Sequence, residues 1–280
     1  MYKKLLLNIL LILTASCGVQ QTFTVDHSSS TTYILPLDLS DGFPHVMLEV
    51  GGHRIPALLD LGGFTTIALS DSILNFVEHR ITGSRSVDDA YGNTYSARNY
   101  VLPKVRIGDL NVRDIEGTEV KHAVEPRSYA KNGYLGWQFI SKFKRVILDY
   151  SRSRVILSND ESMPNDYRDL HWITTAFRDK GGAVSNVQLN GVEAEVWWDT
   201  GANWCIVDPS LTLPKVDRSY QGNRQFVSPH VRMNGSDLGQ LDFYPLDLSG
   251  PGTDALIGHN FFAKFIVMLD LERKEISVAQ

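Results

Sequence analysis

An internal duplication constrains this 280-residue chain more than any other feature. The first copy reads Val46-Met47-Leu48-Glu49-Val50-Gly51-Gly52 and then Ala57-Leu58-Leu59-Asp60-Leu61-Gly62-Gly63. The second reads Val187-Gln188-Leu189-Asn190-Gly191 and then Glu195-Val196-Trp197-Trp198-Asp199-Thr200-Gly201-Ala202. In both, a glycine turn precedes an aspartate by eight positions, an apolar run leads into that aspartate, and a glycine follows two residues later. Each copy closes on a second shared block. These are Tyr134-Leu135-Gly136-Trp137-Gln138-Phe139-Ile140-Ser141-Lys142-Phe143 and Leu256-Ile257-Gly258-His259-Asn260-Phe261-Phe262-Ala263-Lys264-Phe265. A repeat of more than a hundred residues is too long for a solenoid unit. It implies two duplicated lobes, which can bring one carboxylate each to a shared seam.

Short aliphatic runs punctuated by Gly, Asn and Asp point to strands. Val46, Leu48 and Val50 alternate, as do Val101, Val105 and Ile107, and Val146–Leu148, Val155–Leu157 and Ile266–Leu269 are bounded by turn residues. The pattern predicts an all-β architecture without long amphipathic helices, and short helices at 136–143 and 258–265. The expected divisions are a signal segment at 1–17, a flexible tether at 18–40, a first lobe at 41–160 and a second at 166–280. Polar residues and Pro164 fill the junction between the lobes.

Composition narrows the function. A formal net charge of −5 without a basic run argues against nucleic-acid binding. Eight scattered histidines lack metal-ligand spacing, so no metal is expected. At the N-terminus, Lys3 and Lys4 precede an apolar run from Leu5 to Leu13, too short to span a bilayer, and then Thr14-Ala15-Ser16-Cys17. Small residues just before a cysteine resemble the bacterial lipobox. That resemblance implies lipidation of Cys17 and a lipid-anchored place in the cell envelope, on the periplasmic or surface side. The alternative is an ordinary secretory signal cleaved near Ser16. The one other cysteine, Cys205, reads as a buried apolar thiol.

The order of strand, Asp-Thr-Gly, flap hairpin and hydrophobic-hydrophobic-Gly before a short helix resembles the retropepsin-like and pepsin-like aspartic proteases. Trp197-Trp198-Asp199-Thr200-Gly201 with Leu256-Ile257-Gly258 matches well, and the degenerate copy Asp60-Leu61-Gly62 with Leu135-Gly136 supports it. The resemblance covers nearly everything after the tether. It implies two retropepsin-like β-barrel lobes, pseudo-twofold related, in one monomeric chain, with an Asp60/Asp199 dyad that holds one water and needs no cofactor. Gly62, Thr200 and Gly201 support the dyad, and an extended polypeptide is the substrate. Flap candidates are Tyr91, Gly92 and Tyr95 in the first copy and Gly222 in the second. Leu61 departs from the pattern. It has no hydroxyl to offer the opposite loop, so Thr200 is expected to lack its usual partner. The chain is therefore expected to be an exported aspartic endopeptidase. The alternative is a catalytically weak or inactive peptide-binding lipoprotein of the same fold.

Overall fold

The computed structural model describes residues 23–25, 31–88, 94–121, 130–213, 215–219, 225–248 and 252–280. Nearly all of its regular structure is β, and the duplication in sequence becomes a duplication in space. His45–Val50 pairs antiparallel with His53–Leu59, as Ala183–Leu189 does with Val192–Trp198. The two turns are Gly51-Gly52 and Asn190-Gly191, with all four residues at positive φ. Tight hairpins need that conformation, and Gly and Asn tolerate it best.

Both hairpins then lead into the same crossed arrangement. His53–Leu59 runs parallel to Gly133–Leu135, which is antiparallel to Ile67–Ser70. Val192–Trp198 likewise runs parallel to Ala255–Ile257, which is antiparallel to Cys205–Val207. The two closing blocks each give one turn of helix, Trp137–Ile140 and His259–Phe262. In the first lobe a long hairpin, Arg80–Asp88 with Thr94–Ile107, rises from the sheet.

A six-stranded antiparallel sheet ties the lobes together. Its order is Thr32–Asp38, Arg154–Ser158, Arg145–Asp149, Ile266–Asp270, Glu275–Ala279 and Ile173–Asp179. The pseudo-twofold axis passes through the central pair, where Val146 faces Leu269 and Leu148 faces Val267. Alternate residues point to opposite sides. Val146, Leu148, Val155 and Leu157 enter a core shared by both lobes, while Ile147, Ile156 and Met268 meet Tyr167 underneath. The shared core is rich in rings: Trp198 lies edge-on to Phe261 at 5.3 Å, and Phe139 edge-on to Phe143 at 5.7 Å. Each such buried side chain contributes about 1.5–3 kcal/mol.

The reading of 18–40 as a tether is corrected at two places. Thr32–Asp38 is an edge strand of the six-stranded sheet, with Tyr33, Leu35 and Leu37 buried. Thr24–Val25 pairs with Leu110–Val120, and Phe23 stacks on Phe139. A few apolar side chains at alternate positions suffice to pin a segment that is otherwise polar. Asp149 and Asp270, which end the two central strands, serve turns: their carboxylates accept from the backbone N–H of Arg152 and Arg273. Asp149 is fully buried and also takes the Tyr167 hydroxyl at 2.7 Å, which fastens the inter-lobe helix Asn165–Arg168 to the sheet. Among the described residues no helix is long and apolar enough to cross a membrane.

Candidate active site at the seam between the lobes

The crossed strands deliver both aspartates to one point. The backbone N–H of Asp60 donates to Leu135 O at 2.8 Å, and that of Asp199 to Ile257 O at 2.9 Å. The next turn is closed by Trp137 N–H on Gly63 O and by His259 N–H on Ala202 O, again in matching places. A side chain at Gly136 would strike Thr65 O and Gly63 O, and one at Gly258 would strike Trp204 O. Close backbone crossing, and not φ, explains the glycine that ends each hydrophobic pair.

Each carboxylate then lies over the glycine of the opposite loop. A Cβ on Gly62 would sit 2.6 Å from Asp199 Cγ, and one on Gly201 would sit 2.6 Å from Asp60 Cγ. The same glycines hold the inner oxygens. Gly62 N–H donates to Asp60 Oδ1 at 3.0 Å, and Gly201 N–H to Asp199 Oδ1 at 2.8 Å. With ordinary backbone dimensions these contacts limit the two Oδ1 atoms to a separation of at most about 8 Å. Both aspartates are buried. Two bulky tyrosines flank them. The Tyr134 phenol is pushed well above its usual range by burial and then by the charge of Asp60; Tyr150 is raised likewise by burial and by Asp199. Both stay protonated phenols.

Thr200 binds the loops from below, and here the expectation is corrected. Its hydroxyl donates to Leu59 O at 2.6 Å and accepts from Leu61 N–H at 3.0 Å. The partners are backbone groups, so the missing hydroxyl at position 61 strands nothing on Thr200. Leu61 is fully buried in the shared core, and what its side chain cannot supply is the reciprocal pair of bonds from the first loop to the second.

Of the flap candidates, Tyr95 is half-buried on the hairpin and packs beside Phe43, Leu58, Val87 and Tyr134. Tyr91, Gly92 and Gly222 lie outside the described residues, as does Cys17. Cys205 is a buried thiol pushed up to about 12 by burial; its sulfur accepts from Gly258 N–H. Among the described residues no group of three or more His, Cys, Asp or Glu side chains is placed to hold a metal ion. Two neighbours of the paired aspartates and one residue of the hairpin were not read from the sequence. Phe64 bridges the lobes, edge-on to Trp197 at 5.7 Å. Tyr150 reaches the opposite lobe, where its ring meets His259 and Phe262. Arg85 reaches the inner side of the hairpin. Only Phe64, next to the Gly62-Gly63 turn, carried a signal by position.

No protein-family model and no curated protein matches the sequence. Solved structures do match. Basic 7S globulin from soybean superposes with a TM-score of 0.65 at 12% identity, over 89% of this chain and 95% of that one. Conglutin gamma, a basic 7S globulin from lupine seeds, gives 0.64 at 14% identity over 89% and 95%. An aspartic proteinase from Irpex lacteus gives 0.63 at 12% identity over 89% and 97%. The chain thus has the pepsin-like aspartic protease fold, in its two-lobed single-chain form.

The glycines of the two loops give a sharp expectation. In Gly201→Ala the new methyl group collides with the Asp60 carboxylate. That carboxylate is the end of a short side chain and can swing aside, so the fold survives at a cost of about 1–3 kcal/mol. The dyad does not survive. Any reaction that needs both carboxylates is expected to slow at least about a hundredfold, with circular dichroism unchanged; a rate within a few-fold of wild type rules out this packing.

Proposed function

We propose that this protein is an aspartic endopeptidase that hydrolyses peptide bonds with a water held between Asp60 and Asp199. The observation that carries the reading is reciprocal: each carboxylate rests on the other loop's glycine while its own loop's glycine N–H fixes its inner oxygen. Two buried carboxylates that hold one water between them disfavour double ionisation, so they share one proton. The ionised partner accepts a proton from the water as its oxygen bonds to the substrate carbonyl carbon. The protonated partner donates to the carbonyl oxygen. The tetrahedral intermediate then collapses. Its C–N bond breaks, the departing nitrogen takes the proton that came from the water, and a hydroxyl of the intermediate returns its proton to the other carboxylate as the new carboxyl product forms, which restores the starting protonation. No covalent enzyme intermediate and no cofactor enters these steps. The substrate lies extended under the hairpin, where backbone pairing with strand edges gives affinity.

The test is a digest of a peptide library by the full-length protein in detergent, from acidic to neutral pH, read by mass spectrometry. Internal cleavage supports the proposal. Tight binding of peptides without cleavage favours a second reading, a peptide-binding protein of the same fold. Leu61 is the observation behind that reading, because it removes one half of the cross-loop bonding.

The N-terminal pattern supports export and a lipid anchor on Cys17. Cys17→Ser is expected to move the protein from the membrane fraction to the soluble one and to abolish labelling by a fatty-acid analogue. Wild-type protein that takes up no label is instead secreted with its signal removed.

A further inference from the structure

The hairpin over the site carries a cation to which hydrolysis gives no role. Arg85 stands opposite Ala97, and Val87 opposite Tyr95. Opposed residues, and residues two apart, share one face of a hairpin. On that face Val87 and Ala97 are buried against Phe43, Leu58 and Tyr134. It is the face turned to the dyad, because the Tyr134 ring lies against Gly63 beside the Asp60 carboxylate. Ser84 and Ser86 project the other way and are exposed. Arg85 is half-buried on the inner face, and its Nε is buried with no hydrogen-bond partner among the described residues. The ionisable neighbours it feels are the phenols of Tyr134 and Tyr95, and burial presses its guanidinium below the usual range. Arg98, on the outer face, shows the ordinary solution: Glu119 holds its guanidinium through two nitrogens.

A guanidinium that gives up water without gaining an acceptor is costly. We propose that Arg85 is a specificity residue that receives an acidic side chain of the bound polypeptide, one or two residues from the scissile bond. This rests on the peptide-cleft reading above. A carboxylate matches the planar fork of arginine with two parallel hydrogen bonds. The flanking rings of Tyr95 and Tyr134 keep water away and strengthen the pair. The guanidinium also offsets the repulsion that an acidic substrate residue meets from the negative dyad. The reach follows from spacing: an extended chain advances about 3.3 Å per residue, and the Tyr134 phenol lies within electrostatic reach of both Asp60 and Arg85.

The experiment uses peptide sets that differ only as Glu, Gln or Lys beside the scissile bond, each with a free and an amidated C-terminus. Full-length wild type, R85M and R85E are compared by kcat/KM. Wild type is expected to favour Glu by about ten- to a hundredfold. R85M levels the ratio, and R85E turns it toward peptides carrying Lys at that place. Equal cleavage of Glu and Gln peptides by wild type overturns the assignment, as does a Glu preference that persists in R85M. A preference that follows the free C-terminus overturns it too. If wild type cleaves nothing, the hydrolytic reading fails separately. Fluorescence anisotropy of the same peptides then decides: a Glu preference in binding that R85M loses sustains Arg85, and equal binding removes it.

Discussion

Asp199→Asn is expected to abolish peptide hydrolysis while leaving the fold as stable as before, or more so. Asparagine has the same shape, and its side-chain oxygen still accepts from Gly201 N–H as Asp199 Oδ1 does. What it lacks is a proton to share and the basicity to take one from water. General acid–base steps of this kind are worth about 10²–10⁴ in rate. The change also removes one of two crowded carboxylates, which relieves repulsion in the buried seam. Asp60→Asn should behave alike, because Gly62 N–H and the Asp199 side chain repeat the arrangement from the other lobe. The double variant should lose little beyond either single one, since the two groups act as a unit. Cleavage rates and melting temperatures of all three decide it. Activity retained in either single variant places the chemistry elsewhere.

Thr200→Val should have the largest effect on stability. Valine keeps the shape and buried volume but deletes the hydroxyl. Leu59 O then loses its donor and Leu61 N–H its acceptor, both buried and both across the lobe boundary. Each stranded group costs about 1–3 kcal/mol, so the loss is about 2–6 kcal/mol. That is a large part of the 5–15 kcal/mol typical of a folded domain. It corresponds to roughly 5–20 °C in melting temperature. Thr200→Ser keeps the hydroxyl and should recover most of it. A valine variant that melts with wild type would falsify the view that this residue clasps the lobes. The asymmetry raises the stakes: with leucine at position 61 the first loop has no hydroxyl at that place to return the clasp.

The sequence by itself determined the duplication, the all-β class, the two short helices and the two aspartates. The reason is that these features are local and written twice. A turn glycine, an apolar run, an aspartate and a second glycine keep their spacing at Gly52 to Gly62 and at Gly191 to Gly201, so chance resemblance in one copy is checked by the other. Period-two alternation also marked faces. Tyr33, Leu35 and Leu37 carried it, but polar neighbours on both sides hid a strand that becomes visible once Arg154–Ser158 lies beside it. Trp197 and Trp198, adjacent on one strand, take opposite faces: Trp198 fills the shared core, and Trp197 meets Phe64 from the other lobe. Only tertiary structure decided what each face touches. Leu61 seemed to leave Thr200 alone, because sequence lists side chains while the partners proved to be backbone groups 139 and 141 residues away. Arg85 sits in an unremarkable Ser-Arg-Ser stretch, and its inward face follows from Val87 and Ala97. That this face is buried beside Asp60 depends on Tyr134, brought to Leu58 from 76 residues along the chain by a parallel pairing that no local pattern encodes.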